Sequence, residues 1–97
     1  MENIKITGSD DKCQITGENF SYTFENGHPT VIIRDGERQP DIPFPLIGGK
    51  HAKSKTKLVH KYWDSALVVT KYTRGVKSIE VKYHILSNGE MKSENLW

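Results

Sequence analysis

The chain has 97 residues, 35% of them hydrophobic and 27% charged, with a formal net charge of +2. That length suits one domain (1–97), and a domain this small buries only about 60 to 65% of the surface its unfolded chain exposes, so its core is thin. The charge total is too small to argue for nucleic acid unless it is concentrated in one patch, and the lone cysteine, Cys13, excludes an intrachain disulfide scaffold.

In chain order, the opening MENIKITGSDDK lacks the basic, apolar and small-residue layout of a signal peptide. No run approaches the roughly 18 apolar residues of a membrane span. A soluble, cytoplasmic, reduced protein without membrane contact is expected. Cys13 and Ile15 share one face of an early strand, where Cys13 reads as a small buried hydrophobe. In NFSYTFE the aromatics Phe20, Tyr22 and Phe24 take one face, while Ser21, Thr23 and Glu25 take the other. Period two over this length is strand. Asn26-Gly27 and Asp35-Gly36 follow, and both suit a type I′ hairpin, whose central residues need positive φ.

The stretch RQPDIPFPLIGGKHAKSK breaks the rhythm. Pro40, Pro43, Pro45 and Gly48-Gly49 forbid a central strand and leave a long loop over 39–49. Its Ile42, Phe44, Leu46 and Ile47 do not suit open water as a group. They either cover a sheet edge or one end of the fold, or form a lid or a partner contact. Between Lys50 and Lys61 stand five lysines and no acid. A strand starting near residue 53 would project Lys53, Lys55, Lys57 and Lys61 from one face, with Ser54, Thr56, Leu58, His60 and Tyr62 on the other. That stripe is either a solvated face that discourages edge-to-edge aggregation or an anion-binding surface. ALVVTKYT is rich in β-branched residues and fits a strand. In KSIEVKYHIL, Ile79, Val81, Tyr83 and Ile85 face one way, and Ser78, Glu80, Lys82 and His84 the other. LSNGEMKSENLW closes the chain with a turn at Asn88-Gly89 and a last stretch running to Trp97.

Turn letters thus recur at Gly8-Ser9-Asp10, Gly17-Glu18-Asn19, Asn26-Gly27, Asp35-Gly36, Asp64-Ser65, Arg74-Gly75 and Asn88-Gly89. One strand plus one turn, repeated, predicts an all-β fold: an antiparallel up-and-down meander of seven to eight strands. Its apolar face must be covered, either by curling into a barrel or by packing on a second copy, so a homodimer is expected.

The runs ENFSYTFENGHPTVI and KLVHKYWDSALVVTKYTRGVKSIEVKYHILSNGEM together resemble the short bacterial lipocalin-like domains of the calycin superfamily. The resemblance spans residues 18 to 92 and implies a small calycin-like β-barrel or half-barrel that binds an apolar or aromatic small molecule.

The chemistry-bearing residues sharpen this only partly. Cys13, His28, His51, His60 and His84 contain no CxxC, HxxxH or HxH pair, so no metal is expected. Ser54 and Ser65 lack an elbow motif, and GGKHAKSKT lacks both the first Gly and the Ser or Thr of a phosphate loop. No enzyme activity and no cofactor is expected. Phe20, Tyr22, Phe24 and Tyr83 point into one space, either as plain core or as walls of a cavity, with Trp63 and Tyr72 placed to guard its mouth. The leading expectation is ligand binding by these six residues. The alternatives are an interaction module and an anion or nucleic-acid binder using Lys53, Lys55, Lys57 and Lys61. Nucleic acid is the least expected partner, because the aromatics do not interleave with those lysines.

Overall fold

The computed structural model describes residues 4–96; residues 1–3 and Trp97 lie outside them. Within that range the strands run β1 Lys5–Gly8, β2 Lys12–Thr16, β3 Phe20–Glu25, β4 His28–Arg34, β5 Glu37–Arg38, β6 Leu46–Ile47, β7 Lys50–His51, β8 Lys53–Lys61, β9 Ser65–Arg74, β10 Lys77–Leu86 and β11 Met91–Leu96. Every turn marked in the sequence separates two of them. Asn26 and Gly27 have φ of 50° and 80°, and Asp35 and Gly36 54° and 79°. These are the positive pairs that a two-residue hairpin matched to strand twist demands.

The protein is all-β and antiparallel, but it has eleven strands in three sheets where seven to eight strands were expected. The three strands beyond eight are β5, β6 and β7, each of two residues. They flank or close the proline-rich stretch, where missing N–H donors stop a ladder from growing. The other eight strands form two consecutive meanders, β1-β2-β3-β4, extended by the short β5, and β8-β9-β10-β11. Among the described residues no ladder joins these two sheets into a closed barrel. They face one another instead.

What holds them together is the period-two face of each. Cys13, Ile15, Phe20, Tyr22, Phe24 and Ile32 from the first sheet meet Ala66, Val68, Tyr72, Val81, Tyr83 and Ile85 from the second, all buried. Phe24 and Tyr83 cross edge to face with centroids 5.7 Å apart, a geometry that aligns the positive ring edge with the negative ring face. Three polar ties cross the same gap. The Tyr22 hydroxyl donates to the Gly89 carbonyl at 2.5 Å, and the Thr70 hydroxyl donates to the Gly27 carbonyl at 2.5 Å. A Cβ on Gly27 would sit 2.5 Å from the Thr70 oxygen, so this hairpin tip can approach the second sheet only as glycine. The Thr56 hydroxyl donates to the Asp10 carbonyl at 2.6 Å, tying β8 to the β1–β2 turn.

Two bulges set which side chains face where. In β4 the register shifts so that Phe24 pairs with Pro29 and Thr23 with Val31. This admits a proline to a sheet interior at the one kind of place where its missing donor is harmless. In β8 the register shifts between Thr56 and Leu58. A one-residue slip reverses the parity of every later side chain, and that reversal shapes the outward face of this sheet.

The loop over 39–49 covers one end of the sandwich. Ile42 and Phe44 pack on the core, Ile47 is buried in it, and Leu46 stays exposed. Phe44 stacks on the His28 ring at 4.0 Å. Of the two roles open to this loop, covering the end of the fold is the one its contacts fill.

Candidate functional site

The outward face of the sheet β8–β11 gathers the groups that the sequence left scattered. The bulge at Lys57 splits the expected stripe: Lys53 and Lys55 point outward, but beyond the bulge Leu58 and His60 take the outward positions. Lys61 pairs with Ala66 and so falls on the parity of the inner face. The expectation that Lys53, Lys55, Lys57 and Lys61 share one face is therefore corrected, because an extra residue in one strand shifts its pleat by half a period. Lys57 itself reaches across β9 to Glu80 at 2.6 Å.

Cross-strand register supplies the lysines that the stripe lost. Lys55 is opposite Lys71, which is opposite Glu80, while Val69 faces Lys82 and Lys82 faces Glu94. Lys92 lies beside His84. Six lysines (53, 55, 57, 71, 82, 92) thus share the face with two acids, Glu80 and Glu94. With Asp64 at the cleft end as a third acid, the face holds +3 while the whole chain holds +2, leaving the remainder net negative.

One end of this face is aromatic. Tyr62, Trp63 and Asp64 form the β8–β9 turn, closed by the Tyr62 amide donating to the Ser65 carbonyl at 2.8 Å. Trp63 is 77% exposed, Leu58 48% and Tyr62 44%. The His60 ring lies 4.5 Å from Tyr62 and the His84 ring 6.3 Å from it. His84 Nε2 lies 3.0 Å from the Ser65 hydroxyl, which fixes the imidazole against the sheet. Between them is an open cleft of about 290 Å³ lined by Tyr62, Trp63, Asp64, Leu67, Lys82 and His84. Its floor is well supported. Leu67 and Val69 point outward yet are only 8% exposed, because His60, His84, Leu58 and Lys82 flank them on the neighbouring strands.

The remaining sequence candidates are elsewhere. Phe20, Tyr22, Phe24, Tyr72 and Tyr83 are all buried between the sheets. Phe20 meets Tyr22 edge to face at 5.8 Å. Tyr72 lies on the inward face of β9, in contact with His28 and Phe44, and Trp63 sits outside at the hairpin tip. The two residues placed together as guards of a mouth are thus on opposite faces of the sheet.

The interior also holds a polar chain that sequence reading missed. His28 Nε2 is 2.9 Å from the Ile42 carbonyl, which can only accept, so Nε2 carries the proton. Neutral His28 then accepts at Nδ1 from the Tyr72 hydroxyl at 2.8 Å, and Tyr72 in turn accepts from Tyr83 at 2.5 Å. Burial lowers the His28 pKa, partly offset by the bond to Ile42. Burial raises those of Tyr72 and Tyr83, so all three are neutral. Burial likewise raises Cys13 and Tyr22. No buried polar side-chain atom among the described residues lacks a partner. The chain fastens the proline-rich loop to the second sheet.

No group of three or more His, Cys, Asp or Glu able to hold a metal occurs among the described residues, and no helix there is long and apolar enough to cross a membrane. Lys82 and His84 were legible as outward residues of their strand; Lys71 had no face legible in the sequence, which also withheld the adjacency of these groups to Lys55 and Tyr62. Against known proteins, the chain matches no family model, no curated protein and no solved structure.

Proposed function

We propose that this protein is a non-catalytic binding module that engages a polyanionic partner with the outward face of its β8–β11 sheet. The observation that carries the reading is charge concentration: six lysines against two glutamates on one face, in a chain whose total is +2. A non-catalytic role is favoured because the groups with shifted pKa (Cys13, Tyr22, His28, Tyr72 and Tyr83) are all buried inside rather than poised at the open cleft. Heparin tests it as a generic polyanion. With about four charges neutralised, affinity should fall roughly 50- to 150-fold between 50 and 200 mM salt, since each contact releases most of a condensed counterion. Binding that ignores salt, or that is absent at low salt, removes the reading.

A second reading keeps the lipocalin-like resemblance: a calycin-like half-barrel with an apolar or aromatic ligand between its sheets, against Phe20, Tyr22, Phe24, Tyr72 and Tyr83. It is favoured by the paired hydroxyls of Tyr72 and Tyr83, which place a polar handle inside an aromatic interior. A ligand that binds only the folded state raises its melting temperature; a panel of fatty acids and aromatics without any such rise ends it. Homodimerisation through Leu58, Tyr62 and Trp63 would bury the same exposed groups. Light scattering across a dilution series separates that outcome from polyanion binding.

A further inference from the structure

We infer that the polyanion is a single-stranded nucleic acid, its phosphates held by the lysines and its bases stacked at the Tyr62–Trp63 end of the face. The inference rests on the polyanion reading above and adds the chemistry of the partner. Lysines alone would suit any polyanion. Here they share the face with π-surfaces: Trp63 is 77% exposed at a hairpin tip, with Tyr62, His60 and His84 grouped beside it. In a domain with so thin a core, an indole left in water forgoes one of the largest burial gains available to any side chain. Stacking on a base recovers that gain and tolerates any sequence, because every base has a π-face.

The geometry favours a single strand over the other polyanions. A duplex turns its phosphates outward and hides its base faces in the stack, so it could use the lysines but not Trp63. A sulfated polysaccharide can lay a sugar C–H face on the indole but offers no aromatic ring to stack. An unpaired strand presents charge and π-faces along one line. Lys82 connects the two zones, since it lines the cleft with Tyr62, Trp63 and His84 and stands across from Val69 in the middle of the sheet. β8 runs nine residues, or ~30 Å at the usual rise. That length accommodates a site of at least about four nucleotides. The acids do not oppose this path. Glu80 is held by Lys57 at 2.6 Å, Glu94 pairs in register with Lys82, and Asp64 lines the cleft, where a carboxylate can accept from a base N–H, the ring N3–H of thymine or uracil included.

The test uses the full chain carrying Trp97→Phe, so that indole emission reports Trp63 alone. Oligothymidine or oligouridine of about ten nucleotides is titrated at low salt beside a duplex of equal length and heparin. The expected result is quenching of Trp63 by either single strand, tighter binding of single strand than duplex, and a steep salt dependence. Trp63→Ala should weaken single-strand binding roughly 5- to 100-fold and leave the salt slope unchanged, because it removes stacking and no charge. Lys55→Glu with Lys71→Glu should lower the slope itself. Lys55, Trp63 and Lys71 are exposed, so far-ultraviolet dichroism should show each variant folded. Heparin or duplex binding as tightly as the single strand, or oligonucleotide binding without quenching, overturns the inference and leaves the polyanion reading standing. Absence of binding to every polyanion at low salt overturns both.

Discussion

The two sheets are built alike on their inner sides and differently on their outer ones. The outward positions of β1–β4 hold Lys5, Thr7, Gln14, Thr16, Ser21, Thr23, Val31 and Ile33, with Lys12 and Glu25 3.8 Å apart and Gln14 bonded to Ser21 at 3.0 Å. The polar groups satisfy one another or meet water, Ile33 is partly exposed, and the face carries no concentration of charge. The outward positions of β8–β11 hold six lysines, two histidines, an exposed tryptophan and a tyrosine. Folding requires neither face, since the shared interior supplies the buried area. Excess like charge on one sheet works against compactness, and the proposed binding rests on this difference between the faces.

The largest effect is expected in the interior that the two sheets share. Phe24→Ala should cost ~3 to 5 kcal/mol in urea unfolding, because it opens a cavity at the Phe24–Tyr83 crossing. A loss under ~1 kcal/mol would mean that the sheets are not joined through this ring. Charge reversal then separates the outer faces. Lys55→Glu with Lys71→Glu should weaken heparin binding roughly 10- to 100-fold, whereas Gln14→Glu with Thr23→Glu should change it less than about twofold. Equal losses from both pairs would dissolve the distinction. Tyr72→Phe removes the hydroxyl that serves both His28 and Tyr83. It should cost ~1 to 3 kcal/mol, the usual penalty for leaving a buried partner unsatisfied.

Acid should act through the same chain. The folded pKa of His28 lies below its unfolded value of about 6.5. The stability that neutral His28 contributes is therefore complete above that value and lost as pH falls toward the folded pKa. The drop in unfolding free energy between pH 7 and pH 5 should shrink in His28→Phe; an undiminished drop assigns the acid sensitivity elsewhere. The smallest expected effect is that of Lys57→Met. Its ion pair with Glu80 is surface-placed, so about 0.2 to 1 kcal/mol is at stake, measured as a double-mutant cycle with Glu80→Gln.

Much of the fold was legible because β structure writes itself locally. Alternation in FSYTFE and KSIEVKYHIL assigned both faces correctly, and Asn26-Gly27 and Asp35-Gly36 marked turns that only such residues form without strain. The short strands β5, β6 and β7 carried no usable period at two residues each. The bulge at Lys57 was invisible for a different reason: KSKTKLVHK alternates plausibly in either register, and what selects the shift is pairing with β9. The buried His28–Tyr72–Tyr83 chain joins residues up to 55 positions apart, beyond the reach of any local pattern.

Local letters were enough for the longer strands, the turns between them and the inward residues of β2, β3 and β10, because steric preferences and period-two burial act within a few residues. Pairing between distant segments made facing sheets rather than one closed barrel, moved Lys61 off the basic face while Lys71 and Lys82 joined it, and left Trp63 outside with them. Those outcomes depend on register between distant segments, where one inserted residue exchanges the two sides of a sheet.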